Sequence, residues 1–424
     1  MKRIMMILVL LMMASTAWAQ VSLDVVWNQP TVGAPLSVAF NRNRVITGEV
    51  VGPDNASTVH VRGLNANTGG LQWEDTIAGS GVFVDAAGND AFAAITFNGK
   101  TLIRSYQQRT GTLQWSTTIP LLSTTAFGVR GNRVLLAGYM SISLPNGFSE
   151  ANGFLFVLNR TTGDVLWSAQ LDTASIPPPL ADAFFWDFDR SGTDLIVAGE
   201  RRPLISGVDF LVLRDYRVSD GHLKWETLEP NLGGPFQVQL ENGFVYVSGR
   251  VNGSPFGGFM AAYRLTDGVL AWNAPAGSDR PMFTASEAGV FIVSTFPVLV
   301  QTTIIERRDP STGVLVWRQT IPSEGPYTRL IRRVDLLHGY LVVISLSIPQ
   351  PPPFPVPPGW PTATVQVVRL YDPHGNLVFE DQTEQIAIVT DYDIVGSRFA
   401  AIGFVSGAAG FVRMYELQTG GIQP

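Results

Sequence analysis

Cysteine is absent from all 424 residues. Its absence excludes disulfides, thiolate metal sites, a Cys nucleophile and a lipid anchor on a Cys after an export signal, so packing alone must supply stability. Charge is scarce too. Asp, Glu, Lys and Arg make up 15% of the chain and the formal net charge is -6, which makes nucleic acid or an anionic membrane surface a poor partner. Histidine occurs only at His60, His222, His338 and His374, no two at metal-ligand spacing, and each reads as a solvated turn or strand residue. No G-x-S-x-G elbow marks a nucleophile.

One long apolar run exists, in "MKRIMMILVLLMMASTAWAQ" at residues 1–20. Lys2 and Arg3 precede it, Ala17-Trp18-Ala19 follows it, and it is shorter than the roughly 20 residues a bilayer span needs. The expectation is a secretory signal peptide over 1–19, cleaved after Ala19. That implies an exported chain, periplasmic or extracellular, with no transmembrane segment and no lipid anchor.

What the chain has in quantity is one short phrase. It appears as "NTGGLQW" (67–73), "RTGTLQW" (109–115), "TTGDVLW" (161–167), "SDGHLKW" (219–225), "TDGVLAW" (266–272), "STGVLVW" (311–317) and "PHGNLVF" (373–379). The aromatic recurs every 42 to 62 residues, from the Trp73 to Trp115 step to the Trp317 to Phe379 step, the period of a propeller blade with loops of variable length. Alternating strands such as "FLFVLNR" (154–160) lead into each copy. The Gly suits a tight turn that needs positive φ, so it is a turn residue and no phosphate cradle. The aromatics Trp73, Trp115, Trp167, Trp225, Trp272, Trp317 and Phe379 fall on the outermost strand of each blade, where a large flat side chain can wedge between neighbours.

A last turn, "QTG" at 418–420, has no strand after it, whereas "LDVVWNQP" (23–30) supplies Trp27 with no turn before it. The expected architecture is therefore all-β: an eight-bladed propeller over residues 20–424, with four-stranded antiparallel blades and the N-terminal strand completing the last one. Closure of this kind removes the open sheet edges that invite aggregation. Second strands that end in Gly, as in "RVITGEV" and "LIVAGER", imply crowding near the axis.

These copies resemble the tryptophan-docking repeat of the quinoprotein alcohol dehydrogenase-like propellers, the PQQ-like repeat family, over essentially all of residues 21–424. The resemblance implies the fold, which hosts enzymes, assembly scaffolds and binding proteins alike. Quinone-dependent members, as the resemblance implies, hold pyrroloquinoline quinone (PQQ) on a Trp floor beneath a disulfide of adjacent cysteines. They also carry a calcium ion on carboxylate and amide ligands and an Asp base. This chain lacks the cysteines, and no Glu, Asn and Asp set in it matches the calcium ligands. In overall form it also resembles the periplasmic propellers that assist outer-membrane barrel assembly, although those are anchored through a Cys that is missing here.

Two tryptophans of the expected mature chain stand outside the repeat. Trp186, in "FFWDFDRSG" (184–192), has Asp187 and Asp189 beside it and reads either as inner-strand core or as an aromatic platform for a sugar, a quinone or a cation. Two apart on a strand, the two carboxylates share a face, the arrangement a glycosidase would use. Trp360, with Phe354, tips the Pro-rich stretch 347–365, expected to be an extended arm able to contact a partner. Further insertions occupy 139–153 and 171–188, and strand order puts all three on one face of the ring. Asp85, Asp189, Glu241, Glu287, Asp335 and Asp393, with Arg130 and Asn41 in the other two blades, end inner strands before a turn. If in register they would ring one mouth of the channel and could concentrate cations; turn chemistry explains them equally.

Two functions are carried forward. The first is an exported, non-catalytic binding or scaffolding propeller that uses no cofactor and engages a protein or glycan through its insertion-bearing face. The alternative is a PQQ- and calcium-dependent quinoprotein dehydrogenase, which calls for carboxylates and Arg side chains converging above a flat Trp in the channel.

Overall fold

The computed structural model describes residues 21–419 apart from 42, 54–55, 144–148, 172–180, 204–207, 255–256, 278–279, 297–301, 323–326, 350–364, 384–386 and 406–409. The expected signal segment and the arm tips Phe354 and Trp360 lie outside the described residues. Within them the chain forms thirty-two strands, β1 (Val21–Pro30) to β32 (Gly410–Thr419), and no helix. None of the described residues therefore forms a helix long and apolar enough to cross a membrane.

The strands group into eight four-stranded antiparallel sheets. Blade one is β2 (Ala34–Asn41), β3 (Arg44–Val51), β4 (Thr58–Asn65) and β5 (Leu71–Ala78), and six more blades repeat that order as far as β29 (Leu377–Thr383). In the eighth, β30 (Ala387–Val395), β31 (Arg398–Val405) and β32 are completed by β1, which pairs along its whole length from Val21 opposite Thr419 to Pro30 opposite Phe411. The two ends of the described chain thus close the ring and hide one another's edge.

Second strands are buried on both faces, which is why they read as near-continuous apolar runs: β3 has five successive buried residues from Val45 to Glu49. Outer strands alternate instead, as in β17 (Leu223–Pro230), because one side meets a neighbouring blade and the other meets water. The core lies between blades. Ile46 and Val61 of blade one pack with Val82, Ala93 and Tyr106 of blade two, and comparable clusters follow around the ring.

The Gly turns join this packing to the repeat. Gly111 has φ +71°, as the turn demands, and its Cα lies under the indole of Trp73 from the preceding blade, so that an added Cβ would sit 2.6 Å from Trp73 Cδ2. The same indole donates its N–H to the Gln108 carbonyl at 2.8 Å. Trp27, Trp115, Trp167, Trp225, Trp272 and Trp317 each donate likewise to a carbonyl of the blade ahead, at 2.7 to 3.1 Å. Phe379, having no N–H, packs on the apolar cluster between blades seven and eight.

Antiparallel order places the Gly turns and the two-residue hairpins between first and second strands on one face, the turn face. Connections from second to third strands and from blade to blade lie on the opposite face, the loop face.

Candidate functional site

Innermost strands have one unpaired edge, and its N–H groups need partners where they are shielded from water. In six blades the strand carries a register shift, for example between Phe185 and Asp187 or between Val389 and Asp391. Small residues face these bulges: an added Cβ at Gly199 would lie 2.6 Å from the Phe184 carbonyl oxygen, which is the source of the crowding that the Gly-ended second strands imply.

Side chains of one inner strand take up the free N–H groups of the next. Asp187 Oδ2 accepts from Val238 at 2.8 Å and Asp189 Oδ2 from Leu240 at 2.7 Å, joining blade four to blade five. Asp85 accepts from Val129, Asp391 from Val38 and Asp393 from Phe40, at 2.6, 2.9 and 2.6 Å. Gln237 and Gln239 make the same bridges to Phe283 and Ala285. The other oxygen of each of these Asp carboxyls accepts the N–H of the residue that follows it. Burial pushes these carboxyls up against the pull of their amide donors, Asp187 to about 7 and Asp393 to about 6, and Asp85, Asp189, Asp335 and Asp391 also rise.

The expected ring of carboxylates is therefore revised. Asp85, Asp189, Asp335 and Asp393 share a level, opposite Phe92, Ile196, Val342 and Ala400. Glu241, Arg130 and Asn41 stand two residues nearer the turn face, at the hairpin ends, and Glu287 lies beyond the last pair of its strand. Counting back from a Gly does not give register, because the hairpin turns place their glycines differently.

Two cavities of about 410 and 490 Å³ make up the channel lumen and meet at Thr125, Arg130, Asp187 and Arg333. Trp186 lines the larger one, and its indole N–H is spent on the buried Glu200, 3.2 Å away. Only the ring face is left for a ligand. At the blade-seven position where other blades carry an Asp or Gln bridge stands Arg333, which has no acceptor to offer the next strand. Its guanidinium lies 4.8 Å from the ring centre of Tyr392. Open to lumen water yet surrounded by protein, it is held protonated by Tyr392 first and, against burial, by Asp391, Asp335 and Asp393. Neither the composition nor the repeat singles out Arg333, since its role depends on what its blade neighbours lack.

The lumen thus has the carboxylates, arginines and Trp that the dehydrogenase alternative calls for, but they do not fit its cofactor. Five of the carboxylates are committed to backbone N–H groups, and among the described residues no group of three or more His, Cys, Asp or Glu could hold a metal ion. A tricarboxylate quinone would face Asp85, Asp187, Asp189, Asp335, Asp391 and Asp393, against which the described lining residues set Arg130 and Arg333, with Arg280 behind Phe236. Asp187 and Asp189, expected to share a face, do so, and that face is turned to blade five.

Fold, repeat and lumen together define an eight-bladed propeller of the PQQ-like class. Residues 14–168, 99–301 and 151–346 match, in three overlapping placements, the family model described as outer membrane protein assembly factor BamB, and the chain belongs to that PQQ-like β-propeller family. No curated protein matches the sequence. Among solved structures it is similar to BamB from Moraxella catarrhalis, with a TM-score of 0.56 and 13% identity over 93% of this chain and 100% of that one. Quinohemoprotein alcohol dehydrogenase ADHIIG from Pseudomonas putida HK5 gives 0.55 and 11%, over 95% and 77%. Saccharomyces cerevisiae Sqt1 gives 0.58 and 11%, over 92% and 98%. Likeness at these identities is one of fold.

Proposed function

We propose that the protein is an exported, non-catalytic scaffold that binds a protein partner through its loop face. The observation that carries this reading is the one-sided elaboration of the ring. In blade three, β11 (Arg133–Ser143) and β12 (Ser149–Asn159) run on as a paired hairpin to Ser143 opposite Ser149. Strands β14 (Ala181–Ser191) and β26 (Tyr327–Leu337) are lengthened at the same face, while the turn face keeps short turns throughout. The long hairpin is docked, since the Ala151 N–H donates to Asp182 Oδ1 of blade four at 2.9 Å. A rigid protrusion loses little entropy on binding. The name of the matching family, an outer-membrane assembly factor, supports a partner that is itself a protein. A glycan that used Trp186, Asp187 and Asp189 would enter the lumen and not the loop face, because all three line the larger cavity.

The test is a photocrosslinking residue placed at Glu150 on the loop face or at Trp360 in the Pro-rich stretch and, as the control, at Thr162 on the turn face. Adducts with one envelope protein from Glu150 and Trp360 and none from Thr162 are expected. Equal labelling from both faces would refute the reading. The dehydrogenase alternative makes a separate demand: a saturable rise in the unfolding midpoint with PQQ and calcium, about 2.7 kcal/mol at a hundredfold excess over Kd. No such rise is expected.

A further inference from the structure

Around the lumen, hydrogen-bonding capacity is used up at most blade junctions and left over at one. Arg333 makes no hydrogen bond or ion pair with any described residue; its guanidinium lies against the Tyr392 ring and feels Asp391, Asp335 and Asp393 only through space. Tyr392 is only 4% exposed and its hydroxyl is buried away from the lumen, so the residue serves the guanidinium through its ring. Arg333 and Arg130, whose side chain is 53% exposed, face both lobes of the channel. These are the donors. The acceptors are the bridging carboxylates, which spend two or three of about four lone-pair sites each on the described N–H and O–H groups.

A ligand for this wall must donate and accept at close spacing and carry no net charge. An anion would meet six carboxylates, and a cation would find five of them already spent on backbone N–H groups with Arg130 and Arg333 beside them, whereas a hydroxyl satisfies both kinds of group and avoids the desolvation cost of an ion. The Trp186 ring face lines the larger lobe and offers a flat surface for the C–H face of a sugar ring, while the Phe236 ring beside it carries the Arg280 guanidinium 5.1 Å from its centre. The volumes of about 410 and 490 Å³ lie in the usual range for small-molecule sites. We propose that the lumen binds a neutral polyhydroxylated ligand of mono- or disaccharide size, with Arg333 as its central hydrogen-bond donor. The site is separate from the partner surface on the loop face and stands or falls independently of it.

Calorimetric titration of the folded chain with glucose, galactose, maltose and trehalose tests this, with gluconate and glucosamine as charged counterparts. At least one neutral sugar is expected to saturate with a Kd below about 10 mM, ahead of gluconate and glucosamine. Arg333→Met should weaken it roughly tenfold or more, the usual loss for a hydrogen bond to a charged group. Arg130→Ala, at a half-exposed side chain whose partners are Asp85 at 3.4 Å and the Val129 carbonyl at 3.0 Å, should weaken it severalfold, so a poorly folded Arg333 variant leaves the question decidable. Failure of every neutral sugar to saturate, tighter binding of gluconate or glucosamine, or unchanged affinity in Arg130→Ala would each overturn the proposal.

Discussion

At the scale of the residue, the Gly and the Trp of a repeat copy serve different contacts. Gly111 meets Trp73, not the Trp115 of its own copy. Truncating Trp73, which is 7% exposed, to Ala should cost about 3–5 kcal/mol, measurable by urea unfolding. Gly111→Ala should also destabilise, because the turn needs positive φ and the indole occupies the space of the new Cβ. In a double-mutant cycle it should couple to Trp73→Ala by about 0.5 kcal/mol or more and only weakly to Trp115→Ala. Titration is a second residue-scale matter. Asp187 is raised to about 7 in the folded chain, above its unfolded value near 4, so the folded state binds more protons between those limits. Its contribution is fully present below about pH 4 and is lost as pH rises through about 7. Asp393, raised to about 6, and Asp215, raised to about 7, act in the same direction. Thermal scans should therefore give a higher midpoint at pH 5 than at pH 8, and Asp187→Asn should flatten that slope whatever its absolute cost.

At the scale of the element, β1 is the strand with most at stake. It supplies the outer edge of blade eight, and Trp27 reaches the Ala66 carbonyl of blade one at 2.7 Å. Removing residues 21–30 strips β32 of a partner along its whole length and takes away the only described outer-strand aromatic between blades eight and one. The loss should exceed the roughly 3–5 kcal/mol of one buried Trp and show as a large fall in the urea midpoint. A synthetic Val21–Pro30 peptide added in trans should restore part of it. If the shortened chain unfolds at the original midpoint, β1 is not what closes the ring. The need for this strand is legible in the chain itself, since Trp27 has no turn before it and the turn at 418–420 has no strand after it. The bulges of the inner strands are not, because Trp186 and its neighbours alternate like any strand until a partner sets their register.

At the scale of the whole molecule, closure sorts the chain into a lumen, two faces and a rim. The outer strands leave apolar residues at the rim, including Leu71 at 47% and Leu113 at 46% exposed, while the charged groups of the inner strands are turned inward. Insertions accumulate at the loop face because only there do connections lack a tight-turn requirement, so added length costs little. That asymmetry is why partner capture is expected from Glu150 and not from Thr162, and why sugar binding in the lumen should survive changes at the loop face.

Period, turn chemistry and strand alternation are local properties, and they determined the blade count, the four-stranded antiparallel order and the use of the N-terminal strand. Which face Asp187 and Asp189 share was also legible, since it follows from the two-residue repeat of a strand. What lies across from them was not. That their oxygens would be spent on Val238 and Leu240, that Glu241 and Glu287 would fall out of the ring, and that Arg333 would be left with unspent donors beside Tyr392 depend on pairings between blades some fifty residues or more apart, as with Asp187 and Val238. A residue's alternation along its own strand fixes which way it points, but only the closed ring decides what it meets.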